Sequence, residues 1–347
     1  MTSIQQAVTP PAQGARAPFS PRRPFVTGAS GYVGRNLIRH FVAKGCAVVG
    51  LVRSAKAAET VQGLGAIPYI GDILVPTLVE GMRDCDALIH AAADTSHGPA
   101  SAQQLRTNQE GTRLVFAAAQ AAGVTRAIHL SSESVLATGR PIVNADETWP
   151  LPRNPAGSYS RSKAAAEQIA LSFSGGSLDV VVIRPRFVWG RDDTTALPHL
   201  LEAARSGQLA WINGGSYLTS TTHIANLCLG IERVLTGGRS GEVYFITDGA
   251  PVTFRQFASQ LLETQGVEPP DKSVPRRLLH AIAIVGDALG KISHGRIVAP
   301  LTLQSFATSA VEVTLDISKA RAELGYEPAI SLEQGMAELR GDWEWDA

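Results

Sequence analysis

Tyr159 and Lys163 stand four residues apart in "SYSRSK", a spacing that puts both side chains on one face of a helix. A tyrosine hydroxyl, with a reference pKa of about 10, carries protons poorly at neutral pH unless a cation stabilises its phenolate. Lys163, one turn on, supplies that cation. Upstream, "HLSS" ends in Ser131 and Ser132, and Ser132 is placed to bond a reacting oxygen beside the tyrosine. Many unrelated helices hold a Tyr-x-x-x-Lys pair, so the weight of this one comes from its place just after an apolar, strand-like run. These three residues suit proton transfer at a carbonyl or alcohol oxygen, with Tyr159 as general acid and base.

A second group of residues suits a dinucleotide. "TGASGYVG" carries Gly28, Gly31 and Gly34 between a strand-like run and a helical one. Gly28 permits a tight turn, Gly31 lets a pyrophosphate approach the backbone, and Gly34 lets the helix pack closely. The helix start then offers N–H donors and a partial positive charge to phosphates. Ser30, Tyr32 and Val33 complete this part of the site. The second strand ends "LVRSAK", and no acidic residue precedes Glu59, so a carboxylate for the ribose 2′-hydroxyl is missing there. Arg53 and Ser54 instead offer donors to a 2′-phosphate, which favours NADP(H) over NAD(H). In "GDIL", Asp72 beside Ile73 either accepts from an adenine amino group or forms a turn.

These residues need a scaffold, and the chain alternates strand-like and helical segments from Pro24 onward. Strands are expected at 24–28, 46–53, 66–70, 86–93, 126–132, 178–186 and 241–248. Helices are expected at 32–45, 54–63, 75–81, 103–123 and 159–172. Such alternation predicts an α/β fold: a doubly wound, Rossmann-type parallel sheet with a smaller, discontinuous C-terminal substrate lobe. The expected division is a disordered tail over 1–23, a Rossmann domain over 24–186 plus about 224–249, a substrate lobe over about 187–223 and 250–310, and a C-terminal helical segment over 311–347. The stretch "VPRRLLHAIAIVGDALGKI" (274–292) reads as an amphipathic or largely buried helix, a lid over an apolar pocket or a surface attachment.

Bulk properties narrow the partners. Lys+Arg and Asp+Glu both number 31, and the resulting zero net charge argues against nucleic acid. Cys46, Cys85 and Cys228 are widely spaced without a Cys-x-x-Cys pair, so neither a disulfide framework nor a metal site is expected, and a cytoplasmic location fits. No run reaches the ~18–20 apolar residues of a membrane span.

The motifs resemble those of the extended short-chain dehydrogenase/reductases, of the NAD-dependent epimerase/dehydratase superfamily and its 3β-hydroxysteroid dehydrogenase-like branch. The resemblance runs from about Pro24 to Trp343 and rests on "TGASGYVG", "GDIL", "HAAAD", "TNQEGTRLVFAAA", "HLSSESV", "YSRSK", "IRPRFVWG" and "DISKARAELGYEP". It implies a Ser132, Tyr159 and Lys163 triad, with Ala91, Ala92 and Ala93 beside the cofactor. It also brings Asn108, Pro185 and Val188 to the nicotinamide end, although helix capping or backbone bonding accounts equally well for Asn108. A homodimer through 103–123 and 159–172 is likewise implied.

Within the superfamily, nucleotide-sugar enzymes carry an arginine where "TSTTHIANL" has Thr219, and an acid where it has Ser220. Without that cation a diphosphate loses charge-assisted bonds, which disfavours a sugar nucleotide; "RPRFVWG" and "STTHI" instead resemble the hydroxysteroid dehydrogenase and ketone/aldehyde reductase branch, which implies a ketone or secondary alcohol on a mainly hydrophobic, cyclic or sterol-like substrate. A sugar-nucleotide epimerase or dehydratase with tightly bound NAD is the first alternative, and Glu133 partly resembles a dehydratase acid. A non-catalytic NADP-sensing protein is the second alternative. His97 reads as a solvated loop residue with an option of assisting substrate, Trp189 and Trp211 as core more than pocket lining, and His129 as a satisfied core residue.

Overall fold

The computed structural model describes residues 19–75, 77–96, 101–292 and 302–343. Seven short strands form one parallel sheet: β1 (Pro24–Thr27), β2 (Val49–Val52), β3 (Ile67–Ile70), β4 (Ala87–His90), β5 (Arg126–Leu130), β6 (Asp179–Pro185) and β7 (Val243–Ile246). Their spatial order is 3-2-1-4-5-6-7. Successive side chains point to opposite faces, and both faces are apolar: Val26, Ile89, Ile128 and Val181 enter one core, Phe25, Leu88, Ala127 and Val180 the other. Near-continuous apolar runs of this kind are what a parallel sheet covered on both sides requires. β3 closes one edge and leaves Ile67 and Ile70 exposed.

The register brings the strand ends into line. Thr27 pairs with His90, His90 with His129, and Leu130 with Ile183. The residues that follow, Gly28, Ala91, Ser131–Ser132 and Arg184–Arg186, therefore share the carboxyl edge of the sheet. Between β1 and β4 the strand order reverses, which opens the crevice where ligands bind in folds of this kind.

The expected strands and helices are present with ends shifted by a few residues, and one differs in kind. The stretch expected as a single helix over 103–123 is helical over Ala102–Leu105 and Gly111–Ala121, joined by a π turn at Arg106–Glu110. A second sheet of four strands, in the order Val252–Thr253, Leu218–Thr219, Val313–Leu315 and Ile142–Ala145, has no counterpart in the sequence reading. The segment from 311 thus begins with a strand before its helices Ser318–Leu324 and Leu332–Arg340. The helix Arg276–Ile292 is not largely buried: Leu278, Ile282, Ile284, Val285 and Leu289 are exposed, while Ala283 faces inward. Among the described residues no helix is long and apolar enough to cross a membrane.

Candidate active site

The glycine loop follows β1 directly. Gly28 has φ +69°, a left-handed conformation, and a Cβ there would lie 3.0 Å from Ala92 Cα. At Gly34 a Cβ would come within 2.7 Å of Ala29 Cα, so glycine is what lets the helix Tyr32–Ala43 sit against the loop. That helix starts at Gly31 with no side-chain cap and no acidic residue in its first turn. Its first N–H groups are thus offered to an anion, and the cradle fits a dinucleotide pyrophosphate. Ser30 lies in the loop, where its carbonyl accepts from Arg35 Nη1 at 3.0 Å. Val33 follows in the helix's first turn, and the Tyr32 ring is buried.

Arg53 is exposed just past β2, and Ser54 caps the helix Ala55–Gly63 by accepting from Ala57 N at 3.2 Å. Asp72 forms a turn, its Oδ1 accepting from Leu74 N at 2.9 Å, and the Ile73 side chain is buried in the core beside Gly111. Pro185 ends β6, and Val188 pairs with Thr222 in a small two-stranded sheet. Between them Phe187 holds φ +42°.

A directed chain of hydrogen bonds ties this loop to the tyrosine helix Gly157–Leu171. Ala92 N donates to Thr27 Oγ1 at 3.1 Å, and Thr27 Oγ1 bonds His90 Nδ1 at 2.7 Å. His90 Nε2 reaches Thr112 Oγ1 at 3.0 Å, and that hydroxyl donates to the Asn108 carbonyl at 2.6 Å. Because the Thr112 proton is thereby used, His90 Nε2 must donate and Nδ1 must accept. Asn108 Nδ2 then donates to Ser162 Oγ at 2.9 Å, whose hydroxyl donates to the Tyr159 carbonyl at 2.8 Å. Asn108 also holds Asp94, accepting from its N at 2.7 Å and donating to its carbonyl at 3.0 Å. The π turn presents Asn108 to both neighbours at once.

Along the helix Gly157–Leu171 most buried residues are polar: Ser158, Ser160, Ser162, Lys163 and Glu167, beside the apolar Ala166 and Ala170. A helix that buries polar groups must pair them. Glu167 accepts from Arg184 Nε at 2.9 Å, from Arg184 Nη2 at 2.5 Å and from Ser131 Oγ at 2.7 Å. Lys163 Nζ donates to the Leu130 carbonyl at 2.6 Å. Burial lowers the Lys163 pKa to about 8, with Glu167 opposing.

Tyr159 keeps part of its surface exposed and faces Ser132, Ser134 and Glu133. Burial, with the Glu133 charge adding to it, pushes the Tyr159 phenol well above its ordinary value. Ser132 Oγ donates to Glu133 Oε2 at 2.8 Å and accepts from Ser134 N at 3.1 Å. Glu133 is itself 5% exposed, and its other oxygen accepts from Arg186 Nη1 at 2.5 Å. The structure therefore brings Ser132, Tyr159 and Lys163 together at the carboxyl edge beside the glycine loop.

The arrangement fits the family model for the 3-beta hydroxysteroid dehydrogenase/isomerase family, which matches residues 25–276. The chain belongs to this family. It is an NAD(P)-dependent oxidoreductase. A 4-hydroxy-2-methyl-3-oxo-4-farnesyl-3,4-dihydroquinoline-1-oxide ketoreductase of Stigmatella aurantiaca is 46% identical, over 92% of this chain and 96% of that protein. A 2-alkyl-3-oxoalkanoate reductase of Stenotrophomonas maltophilia is 31% identical, over 91% of this chain and 97% of that one. Among solved structures, a dTDP-glucose 4,6-dehydratase of Streptomyces venezuelae with NAD bound has a TM-score of 0.72, covering 92% of this chain and 96% of its own; at 24% identity this likeness speaks to the fold.

Several residues have purely structural surroundings. Trp189 and Trp211 are fully buried, Trp189 donating to Asp248 Oδ2 at 2.9 Å and Trp211 to the Pro270 carbonyl at 2.5 Å. His129 is in the core, packed against His90 and Phe116, yet neither ring nitrogen has a hydrogen-bond partner among the described residues. It is a core residue but not a satisfied one, because β5 presents it to apolar and ring surfaces. His97 lies outside the described residues. The two buried ion pairs, Arg184–Glu167 and Arg186–Glu133, escaped the sequence reading. Their signal was two arginines at alternate positions, "RPR", closing an otherwise apolar strand.

Proposed function

We propose that the protein reduces a ketone to a secondary alcohol on a mainly hydrophobic substrate, with NADP(H) as its preferred cofactor. The observation that carries this reading is Tyr159 with Lys163 one turn on in the helix Gly157–Leu171, set beside Ser132 at the open carboxyl edge of a dinucleotide fold. A reduced nicotinamide, when bound, would supply the hydride. Tyr159 gives its proton to the carbonyl oxygen, and Lys163, whose charge is only loosely retained where it is buried, answers the negative charge that develops. Arg53 and Ser54 would hold a 2′-phosphate, Asp72 would accept from the adenine amino group, Ala91–Ala93 would lie beside the cofactor, and Pro185 and Val188 would lie at its nicotinamide end. The segments 187–223 and 250–310 hold the substrate.

The ketoreductase and oxoalkanoate reductase relatives support a ketone on an extended apolar skeleton. A sugar-nucleotide epimerase or dehydratase is disfavoured by the surroundings of Arg186. Its Nε donates to Thr219 Oγ1 at 2.9 Å, its Nη2 to the Thr308 carbonyl at 3.0 Å, and its Nη1 to Glu133, so it is not available to a diphosphate. A purely NADP-sensing role would not require the intact Tyr159 and Lys163.

Reduced-nicotinamide absorbance, followed with NADPH and NADH over ketosteroids, 3-oxoalkanoates and prenylated cyclic ketones, tests the reading. Ketone-dependent NADPH consumption is expected. The Tyr159→Phe variant should lose it by roughly 10²-fold or more while binding NADPH as before; turnover retained in that variant would remove Tyr159 from the mechanism.

A further inference from the structure

The helix that carries Tyr159 has no side-chain cap of its own. It is preceded by Ala156, which cannot cap, and its first residue, Gly157, is left-handed at φ +76°. A side chain 144 residues away grips the first turn instead. Gln304, in the helix Leu303–Ser309, accepts from Ser160 N through Oε1 at 3.2 Å and donates from Nε2 to Ser160 Oγ at 2.9 Å. A backbone N–H only donates, so the orientation of the carboxamide is fixed. Its Nε2 also reaches Thr308 Oγ1 at 3.4 Å, a hydroxyl whose own proton goes to the Gln304 carbonyl at 2.8 Å. Gly157 makes room for this grip: a Cβ there would collide with the carboxamide oxygen and stand 2.5 Å from Gln304 Cβ.

Ser160 directly follows Tyr159, and the tyrosine's own carbonyl is held by Ser162 Oγ at 2.8 Å, which is tied in turn to Asn108. The tyrosine backbone thus stands between two clamps, one from the π turn Arg106–Glu110 and one from the helix Leu303–Ser309. That short helix also reaches the serine side of the site. Its Thr308 carbonyl accepts from Arg186 Nη2 at 3.0 Å, while Arg186 Nη1 holds Glu133 next to Ser132. Behind it, Phe306 stacks on His280 of the helix Arg276–Ile292, ring centroids 4.8 Å apart. We propose that Gln304 is a positioning residue: its carboxamide fixes the first turn of the helix Gly157–Leu171 and so sets where the Tyr159 hydroxyl stands relative to Ser132. At 2% exposed, Gln304 touches neither substrate nor cofactor in this role; it acts through Ser160. A displacement of about 1 Å in a reacting group is enough to cost roughly 10²-fold in rate, so a grip one residue from the tyrosine matters to chemistry more than to binding.

The inference rests on the ketone-reductase reading, and its readouts are chosen so that the two fail separately. In Gln304→Met the side chain keeps its length and loses both bonds to Ser160. Per folded molecule, kcat for ketone reduction should fall roughly tenfold or more, with ketone KM and NADPH Kd each held within about twofold. Gln304→Glu should restore most of kcat, because a carboxylate still accepts from Ser160 N and from the Ser160 hydroxyl and suits a helix start. An unchanged kcat in folded Q304M would leave Gln304 a packing residue. A KM raised roughly tenfold at constant kcat would make it a substrate contact, and a Q304E as slow as Q304M would assign the loss to packing; either overturns the proposal. If Q304M does not fold, Gly157→Ala decides, since its methyl displaces the carboxamide: folded G157A must show the same loss of kcat, and full activity there refutes the role. If wild type reduces no ketone, the reductase reading fails by itself, and the positioning role is read by NMR of protein labelled with ¹³C at tyrosine Cζ. Among the six tyrosines, the Tyr159 signal, assigned by its loss in Tyr159→Phe, must move in Q304M and return in Q304E. A signal that stays in place in Q304M overturns the proposal without reference to turnover.

Discussion

Lys163 is a charge held where charge is costly, and its stability effect can be separated from the catalytic role proposed for it. Burial takes its pKa to about 8 from 10.5. In the unfolded chain it stays protonated up to its ordinary value, so between these limits the unfolded state binds more protons and folding stability rises with pH. The full difference is roughly 3 kcal/mol. A Lys163→Met variant lacks this dependence. Wild type should therefore gain on the variant by about 1.4 kcal/mol per pH unit between pH 8 and 10.5 in urea unfolding; parallel curves for the two proteins would show that the lysine is not desolvated in the folded state. At this scale the placing of Ser132 at a strand end and of Tyr159 and Lys163 in one helix was legible, because an apolar run and a four-residue helical spacing put them there. Glu133 and Arg186 were not. A carboxylate after two serines reads as a solvated turn, and only its partner 53 residues away makes it a buried pair.

Two central strands carry a built-in sensitivity to acid. β4 and β5 place His90 and His129 side by side, ring centroids 5.5 Å apart, with no water-exposed face. Burial, with Lys163 adding to it, lowers His90 to about 3 and depresses His129 strongly. His90 has a second reason to refuse a proton, since Nδ1 already accepts from Thr27. Above pH 6.5 neither imidazole affects stability. Below it the unfolded chain protonates both and the fold does not, so stability falls towards pH 3 by up to about 2.7 kcal/mol per pH unit from the pair. Replacing His129 by Leu should halve that slope and leave neutral-pH stability intact or raised, because its ring nitrogens have no partner to lose; an unchanged acid slope would mean that His129 titrates freely in the fold. The strands themselves were legible as apolar runs. The pairing of Ile142–Ala145 with Val313–Leu315 was not, because three- and four-residue strands leave little periodicity and their partner lies some 170 residues away. Nor does periodicity reveal the π turn, where the Thr112 hydroxyl bonds the Asn108 carbonyl four residues back.

For the whole molecule, cofactor choice becomes a difference in stability. A ligand that binds only the folded chain stabilises it by about 2.7 kcal/mol at a hundredfold excess over Kd, so melting temperature ranks cofactors without any substrate. The glycine loop and uncapped helix start, as the proposed pyrophosphate site, would serve NADPH and NADH alike. Arg53, exposed past the end of β2 and followed by no nearby acid before Glu59, is the residue proposed to separate them. NADPH should raise the melting temperature more than NADH at equal concentration. Arg53→Ala should weaken NADPH by roughly 10- to 100-fold, the worth of charge-assisted phosphate bonds, and bring the two shifts together by lowering only the NADPH one. Tyr159→Phe should leave both shifts in place, which keeps binding apart from chemistry. Equal protection by both cofactors in wild type would detach Arg53 from the 2′-phosphate. A fall in both shifts on removing Arg53 would instead make it a general support of the loop between β2 and the helix that Ser54 caps.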